Sequence, residues 1–195
     1  MLFVVLLSLQ APIPGMAKSE ETFSNIDFAL QAIRQSFSVP TGFETAVGDL
    51  DKTPVTLDVS GDSVARVFDA LVAQRPNYVW SLKDGFYNVY PKLKAQSFSQ
   101  LMVANYVVRD ATLRDAVDSI EELPEVKRWL THRRERRVGL MNVTRTGPPL
   151  PPKRRSLALK NVQVRTILNQ VYSSFDETQW TIWHQGQDIG MSFSF

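Results

Sequence analysis

Two stretches of this chain, one hundred residues apart, repeat the same order of apolar and polar positions. In the first, Leu57 and Val59 alternate with polar neighbours, the period of a strand with one buried face. Gly61 turns the chain. Val64, Val67, Phe68, Leu71 and Val72 follow at three- and four-residue spacing, which lines them along one side of a helix, and Ser63 stands where an N-cap is needed. In the second, Leu157 and Leu159 alternate and Asn161, another turn-tolerant residue, replaces the glycine. Val164, Ile167, Leu168, Val171 and Tyr172 then make the helical stripe. Each helix leads to a tryptophan in register, Trp80 or Trp180, on an alternating strand. Tyr78, Trp80 and Leu82 run into Asp84-Gly85 and return through Tyr87 and Val89, a strong hairpin pattern. Trp180 and Ile182 run into Gln185-Gly186-Gln187-Asp188 and return through Ile189, Met191, Phe193 and Phe195, with a longer loop expected and the last strand expected at a sheet edge.

Each copy also has an apolar-striped helix upstream. Leu30, Ile33 and Phe37 mark one, ending near Pro40-Thr41-Gly42. Leu113, Ala116, Val117 and Ile120 mark the other, where Thr112 and Asp115 are spaced as a capping box. Val103 to Val108 reads as a strand before it. The pattern predicts an α+β fold of two tandem strand–helix–strand–helix–hairpin modules, with helices packed on small sheets. The first module is expected over 18–94 and the second over 95–195. The second carries a basic, Pro-rich insertion at about 124–155, of which the start could extend the preceding helix.

Composition sharpens this picture in three places. Apolar residues are 44% and charged residues 22% of the 195, as in a globular chain. There is no cysteine, which excludes disulfides, thiolate metal sites and a cysteine nucleophile. The net charge is only +2, yet Pro124 to Arg155 holds ten Lys/Arg against two Asp/Glu, so the rest of the chain is acidic. At the N-terminus the apolar run Leu2 to Leu9, the helix breakers Pro12 and Pro14, and small Gly15 and Ala17 read as a signal peptide over 1–17, cleaved before Lys18, although no basic residue precedes the run. No segment approaches the ~20 apolar residues of a membrane span.

The stretch from about Phe28 to Pro91 resembles the secretin and TonB N-terminal short domain. The residues that carry the resemblance are ALQAIRQSF, VTLDVSGDSVARVFDALV and YVWSLKDGFYNVYP. Residues 100 to 195 resemble a second, more divergent copy, best in RRSLALKNVQVRTILNQVY. The resemblance implies an exported module at the periplasm or outer membrane that docks a protein partner, such as a secretin or TonB-type component, without catalysis. The basic insertion is not part of that family's pattern.

Candidate chemistry is sparse. His132 and His184 have no second ligand at metal-binding spacing, and both are expected to be solvated. The acidic pairs are sequence neighbours, which do not face each other on a helix, and no nucleophile elbow or phosphate loop is present. The reading is therefore no enzyme, no cofactor and no metal. Trp129, Arg133, Arg134, Arg136 and Arg137 are the candidate partner-binding residues. They are compatible with a solvated charge run, with docking to an acidic protein or an anionic surface, or with nucleic acid. Trp183 breaks the alternation beside Ile182 and is the expected exposed aromatic. Tyr78, Trp80 and Leu82 are expected to pack on the Val64–Val72 stripe.

Overall fold

The computed structural model describes residues 20–46, 53–60, 63–93, 97–133, 136–137, 152–185 and 188–192. The expected signal peptide, Gly61, Arg134, the Pro-rich run up to Pro151, and Phe193 and Phe195 lie outside them. The chain is α+β, and its elements come in the same order twice. The first series is β1 (Glu20–Phe23), α1 (Ile26–Phe37), β2 (Thr41–Glu44), β3 (Val55–Asp58), α2 (Val64–Ala73), β4 (Tyr78–Lys83) and β5 (Phe86–Pro91). The second is β6 (Met102–Ala111), α3 (Leu113–Glu121), the additional α4 (Pro124–Arg133), β7 (Arg136–Arg137), β8 (Arg155–Gln163), α5 (Val164–Ser174), β9 (Gln179–Gln185) and β10 (Asp188–Ser192). Sheet pairing repeats as well. β1 and β3 form an antiparallel ribbon, as do β6 and β8. β2 lies parallel to β5 in the β4–β5 hairpin, and β7 lies parallel to β10 in the β9–β10 hairpin.

Local chemistry explains most of these elements. Asn25 caps α1 by accepting the Phe28 N–H, and Ser38 ends it with a left-handed φ of 51°. Ser63 stands at the N-cap of α2, but its side chain makes no cap bond. The capping box of α3 is complete: Asp115 N–H donates to Thr112 Oγ1, and Thr112 N–H donates back to Asp115 Oδ2. These bonds from Thr112 hold the Asp115 carboxyl below its ordinary value. That contribution to stability is complete above the ordinary carboxylate range and is lost as pH falls through the lowered value. Thr112→Ala is expected to cost about 1 kcal/mol and to remove this part of the acid sensitivity, as measured by urea midpoints between acid and neutral pH. Asp84 and Gly85 both have positive φ, 51° and 80°, as the tight β4–β5 turn requires. The second hairpin is no longer in its loop than the first. Gln185 pairs with Asp188 as Lys83 pairs with Phe86, leaving two residues between in each case. The end of α3 is not extended. The chain breaks at Glu122–Leu123, and Pro124 starts α4, where its missing N–H costs nothing.

The two modules do not fold as separate bodies. β2 also pairs, in parallel, with β9, giving one six-stranded sheet in the order β4-β5-β2-β9-β10-β7. β10 is thus an inner strand, and the ends of this sheet are β4 and β7. Registered neighbours share a face. Trp80, Val89, Phe43 and Thr181 form one row, whereas Ser81, Asn88, Gly42 and Trp180 form a row on the opposite face. The second module is therefore turned over relative to the first, and its helices cover the other side. One core gathers α1, α2 and the Phe43–Val89 face, with Phe68 stacked on Tyr87 at 4.9 Å and beside Trp80 at 5.5 Å. The other gathers α3, α5 and Trp180, and it takes in Phe86 from the first module. β2 and most of β5 are consequently buried on both faces.

The repeated tryptophans make the same bond in both modules. Trp80 Nε1 donates to Asp69 Oδ1 of α2 at 2.8 Å, and Trp180 Nε1 donates to Asn169 Oδ1 of α5 at 2.8 Å. Their burial differs. Asn169 is fully enclosed and also donates to the Lys83 carbonyl of the first module at 3.0 Å, while the Trp80–Asp69 pair is solvent-exposed. Asn169→Ala strands the buried Trp180 indole N–H, at roughly 1–3 kcal/mol, and also loses the part-buried bond to Lys83, whereas Asp69→Ala is expected to cost under about 1 kcal/mol. Paired chemical denaturation of the two variants checks this difference.

Candidate functional site: a basic groove beside the module junction

The described residues converge around α4 and the segment that leads into β6. Val126 anchors α4 in the second core, and the Ala104 N–H donates to Glu125 Oε1 at 3.2 Å, tying the helix to β6. The opposite side of α4 carries Lys127, Arg128, Thr131 and His132. Lys127 forms an ion pair with Glu122 at 2.6 Å, and Arg128 Nε donates to the Pro124 carbonyl at 3.3 Å. Between α4 and Ser97, Gln100, Leu101 and Met102 runs an open groove of about 1180 Å³. Its walls are largely apolar. Trp129 forms one of them, edge-on to Phe98 with ring centres 5.2 Å apart.

Beneath this groove lies a buried polar cluster that sequence spacing does not reveal. Glu44, at the end of β2, is fully buried. Its Oε1 lies 3.0 Å from His184 Nε2 and accepts the Phe98 N–H; its Oε2 accepts from Ser97 Oγ at 2.7 Å and from the Ser99 N–H at 3.1 Å. A carboxylate has about four acceptor positions, and these four contacts occupy them. Thr45 Oγ1 adds a bond from the His184 N–H at 2.8 Å. The cluster joins β2 of the first module, the segment that opens the second, and β9. Among the described residues no oxygen nucleophile hydrogen-bonds the imidazole, and the carboxylate is occupied by structural donors. The described residues contain no group of His, Asp or Glu arranged to hold a metal ion.

The expected solvation of His184 is corrected by this arrangement: it is 3% exposed, because the sheet formed between modules encloses it. His132 is exposed. Among the sequence-selected residues, Trp129 lines the groove, Arg133 ends α4, and Arg136 and Arg137 form β7, registered against Asp188 and Ile189. Arg136 and Arg137 therefore lie in the place that β2 occupies in the first module, within the repeat and not only in an insertion. Trp183 lies opposite Gly190, on the face away from Trp180, and it is half-buried where exposure was expected. Its indole nitrogen is enclosed without a hydrogen-bond partner among the described residues. Arg128 belongs to the basic block that the sequence marks, whereas Met102 and Gln100 were not singled out by sequence and carry no signal there.

Comparison with known proteins finds no matching family model, no matching curated protein and no matching solved structure. No described helix is long and apolar enough to cross a membrane.

Proposed function

We propose that this protein is an exported, non-catalytic interaction protein of the cell envelope. It would dock an acidic partner protein along the α4 groove and the arginines that follow it. The observation that carries this reading is the groove itself: apolar walls from Leu101, Met102 and Trp129, with Lys127, Arg128 and His132 beside them and Arg133 at the helix end. An apolar centre within a charged rim is the ordinary anatomy of a protein interface, and the rim charges steer an oppositely charged partner. The resemblance to secretin and TonB N-terminal short domains favours an envelope partner from one of those systems. Nucleic acid or an anionic lipid surface would draw on the same arginines. Among the described residues, Trp80 is packed against Phe68 and Tyr87 in the first core, which takes it away from a nucleic-acid reading.

Two measurements test the proposal. Mass spectrometry of the protein from fractionated cells should find a mature terminus at Lys18 outside the inner membrane; a full-length cytoplasmic form would remove the export claim. Arg128→Glu combined with His132→Glu should reduce capture of the envelope partner at least about tenfold while leaving the fold intact, because rim charges chiefly govern association rate and salt dependence. Unchanged capture by the double variant, or tight salt-sensitive binding of DNA or RNA by the unaltered protein, counts against the reading.

A further inference from the structure

We propose that copies of this chain add head to tail, the β7 edge of one copy pairing in parallel with the β4 edge of the next. This would repeat between molecules the β2–β9 junction found within each.

The argument rests on which strands meet at the centre of the sheet and which remain at its ends. The internal junction joins β2 of the first module to β9 of the second. In the repeat, β9 is the counterpart of β4, the first strand of each hairpin. β7 is the counterpart of β2, the strand parallel to each hairpin's return strand. The two ends of the six-stranded sheet are therefore the two halves of the same junction. Each has its described outer side unpaired by any other described strand.

The β4 edge presents suitable donors and acceptors. Lys83 and Phe86 close a two-residue hairpin, so antiparallel alternation turns the peptide groups of Leu82 and Trp80 away from β5. At and just before β9, the Ile182 and Thr178 carbonyls, the equivalents of those of Leu82 and Tyr78, accept from Thr45 and Thr41 across the internal junction, at 2.9 and 2.8 Å. In the first module these groups lack such a strand, and Leu82 is 57% exposed.

The sheet faces extend the same reasoning. Within the chain, the second module lays Phe86, Asn88 and Tyr90, the far face of β5, under its own elements, with Arg165 of α5 held 4.4 Å above the Tyr90 ring. The matching far face of the β9–β10 hairpin carries Trp183 opposite Gly190. A further module, turned over as the second is relative to the first, would cover that face. The contact is heterologous: the two patches differ, so addition does not close at two copies. Each added copy would lengthen the sheet by six strands, roughly 29 Å at ordinary strand spacing.

Sedimentation velocity on the full mature chain, from about 1 to 200 µM, tests this. Growth through dimers to longer species with rising concentration is the expected result. Leu82→Pro should return the protein to monomer, because it removes an outward N–H from a position not bonded to β5. Leu82→Lys is the second variant. It leaves the backbone donors in place and puts a charged side chain into the contact, and it should shift assembly to at least tenfold higher concentration. Circular dichroism identifies any variant that has lost the fold. A chain that stays monomeric throughout the range overturns the proposal. So does a closed dimer, or association unaffected by both folded variants. Partner capture at the α4 groove is a separate measurement, so either proposal can fail without the other.

Discussion

Glu44→Ala is expected to lower the stability of the whole chain by about 3–5 kcal/mol, because it leaves several enclosed donors unpaired at roughly 1–3 kcal/mol each. The carboxylate is fully enclosed and accepts from Ser97, Phe98 and Ser99 with His184 beside it, so losing this one side chain of the first module strands several donors of the second. Urea unfolding gives the loss directly from the midpoint, provided the slope is unchanged. Glu44→Gln retains the shape and part of the acceptor capacity and should fall between the two. A decrease below about 1 kcal/mol for the alanine variant would mean that Ser97, Ser99 and His184 reach other partners without it, and the cluster would not be what holds β9 to β2.

Gly42→Ala is the second large effect, and its cause is steric. A methyl at Gly42 would meet two ring carbons of Trp180 at 2.3 Å and Asn88 Oδ1 at 2.8 Å. Trp180 is buried and held by Asn169, so the ring has no open space to enter. Overpacking a core of this kind costs about 1–3 kcal/mol, and larger side chains cost more. Because the clash lies on the strand pair that joins the modules, the expected signature is a loss of cooperativity as well as of stability. The unaltered chain should unfold in one transition because its sheet is shared. Gly42→Val should separate this into two transitions, visible as tryptophan fluorescence and far-ultraviolet circular dichroism no longer coinciding. A single coincident transition at an unchanged midpoint would show that β2 and Trp180 do not depend on this close approach.

The α4 groove and the junction lie against one another. Trp129, a wall of the groove, sits on Phe98, whose N–H bonds Glu44, and its ring centre is 6.4 Å from that of His184. The surface proposed for partner binding is thus built on the most interlocked part of the molecule. That limits the ordering cost on association, since its apolar wall is held in place before a partner arrives.

The one-hundred-residue repeat of apolar positions, with the apolar stripes upstream of each copy, determined the α+β class, the helices α1, α2, α3 and α5, the first hairpin turn and the place of both tryptophans. Those features follow from local periodicity, capping and turn chemistry, which act between residues a few positions apart. The arginine run was equally legible as charge. β2 was not legible: Thr41-Gly42-Phe43-Glu44 has too little alternation to mark a strand and a carboxylate at its end, and it reads as connection. It becomes a central strand because β5 and β9 bring partners to both its edges and helices cover both its faces. The same event buries Glu44 and His184, which stand 140 residues apart and each look solvated in isolation. Only tertiary pairing decides such sites, because desolvation and carboxylate hydrogen bonding depend on what surrounds a residue and not on its neighbours along the chain.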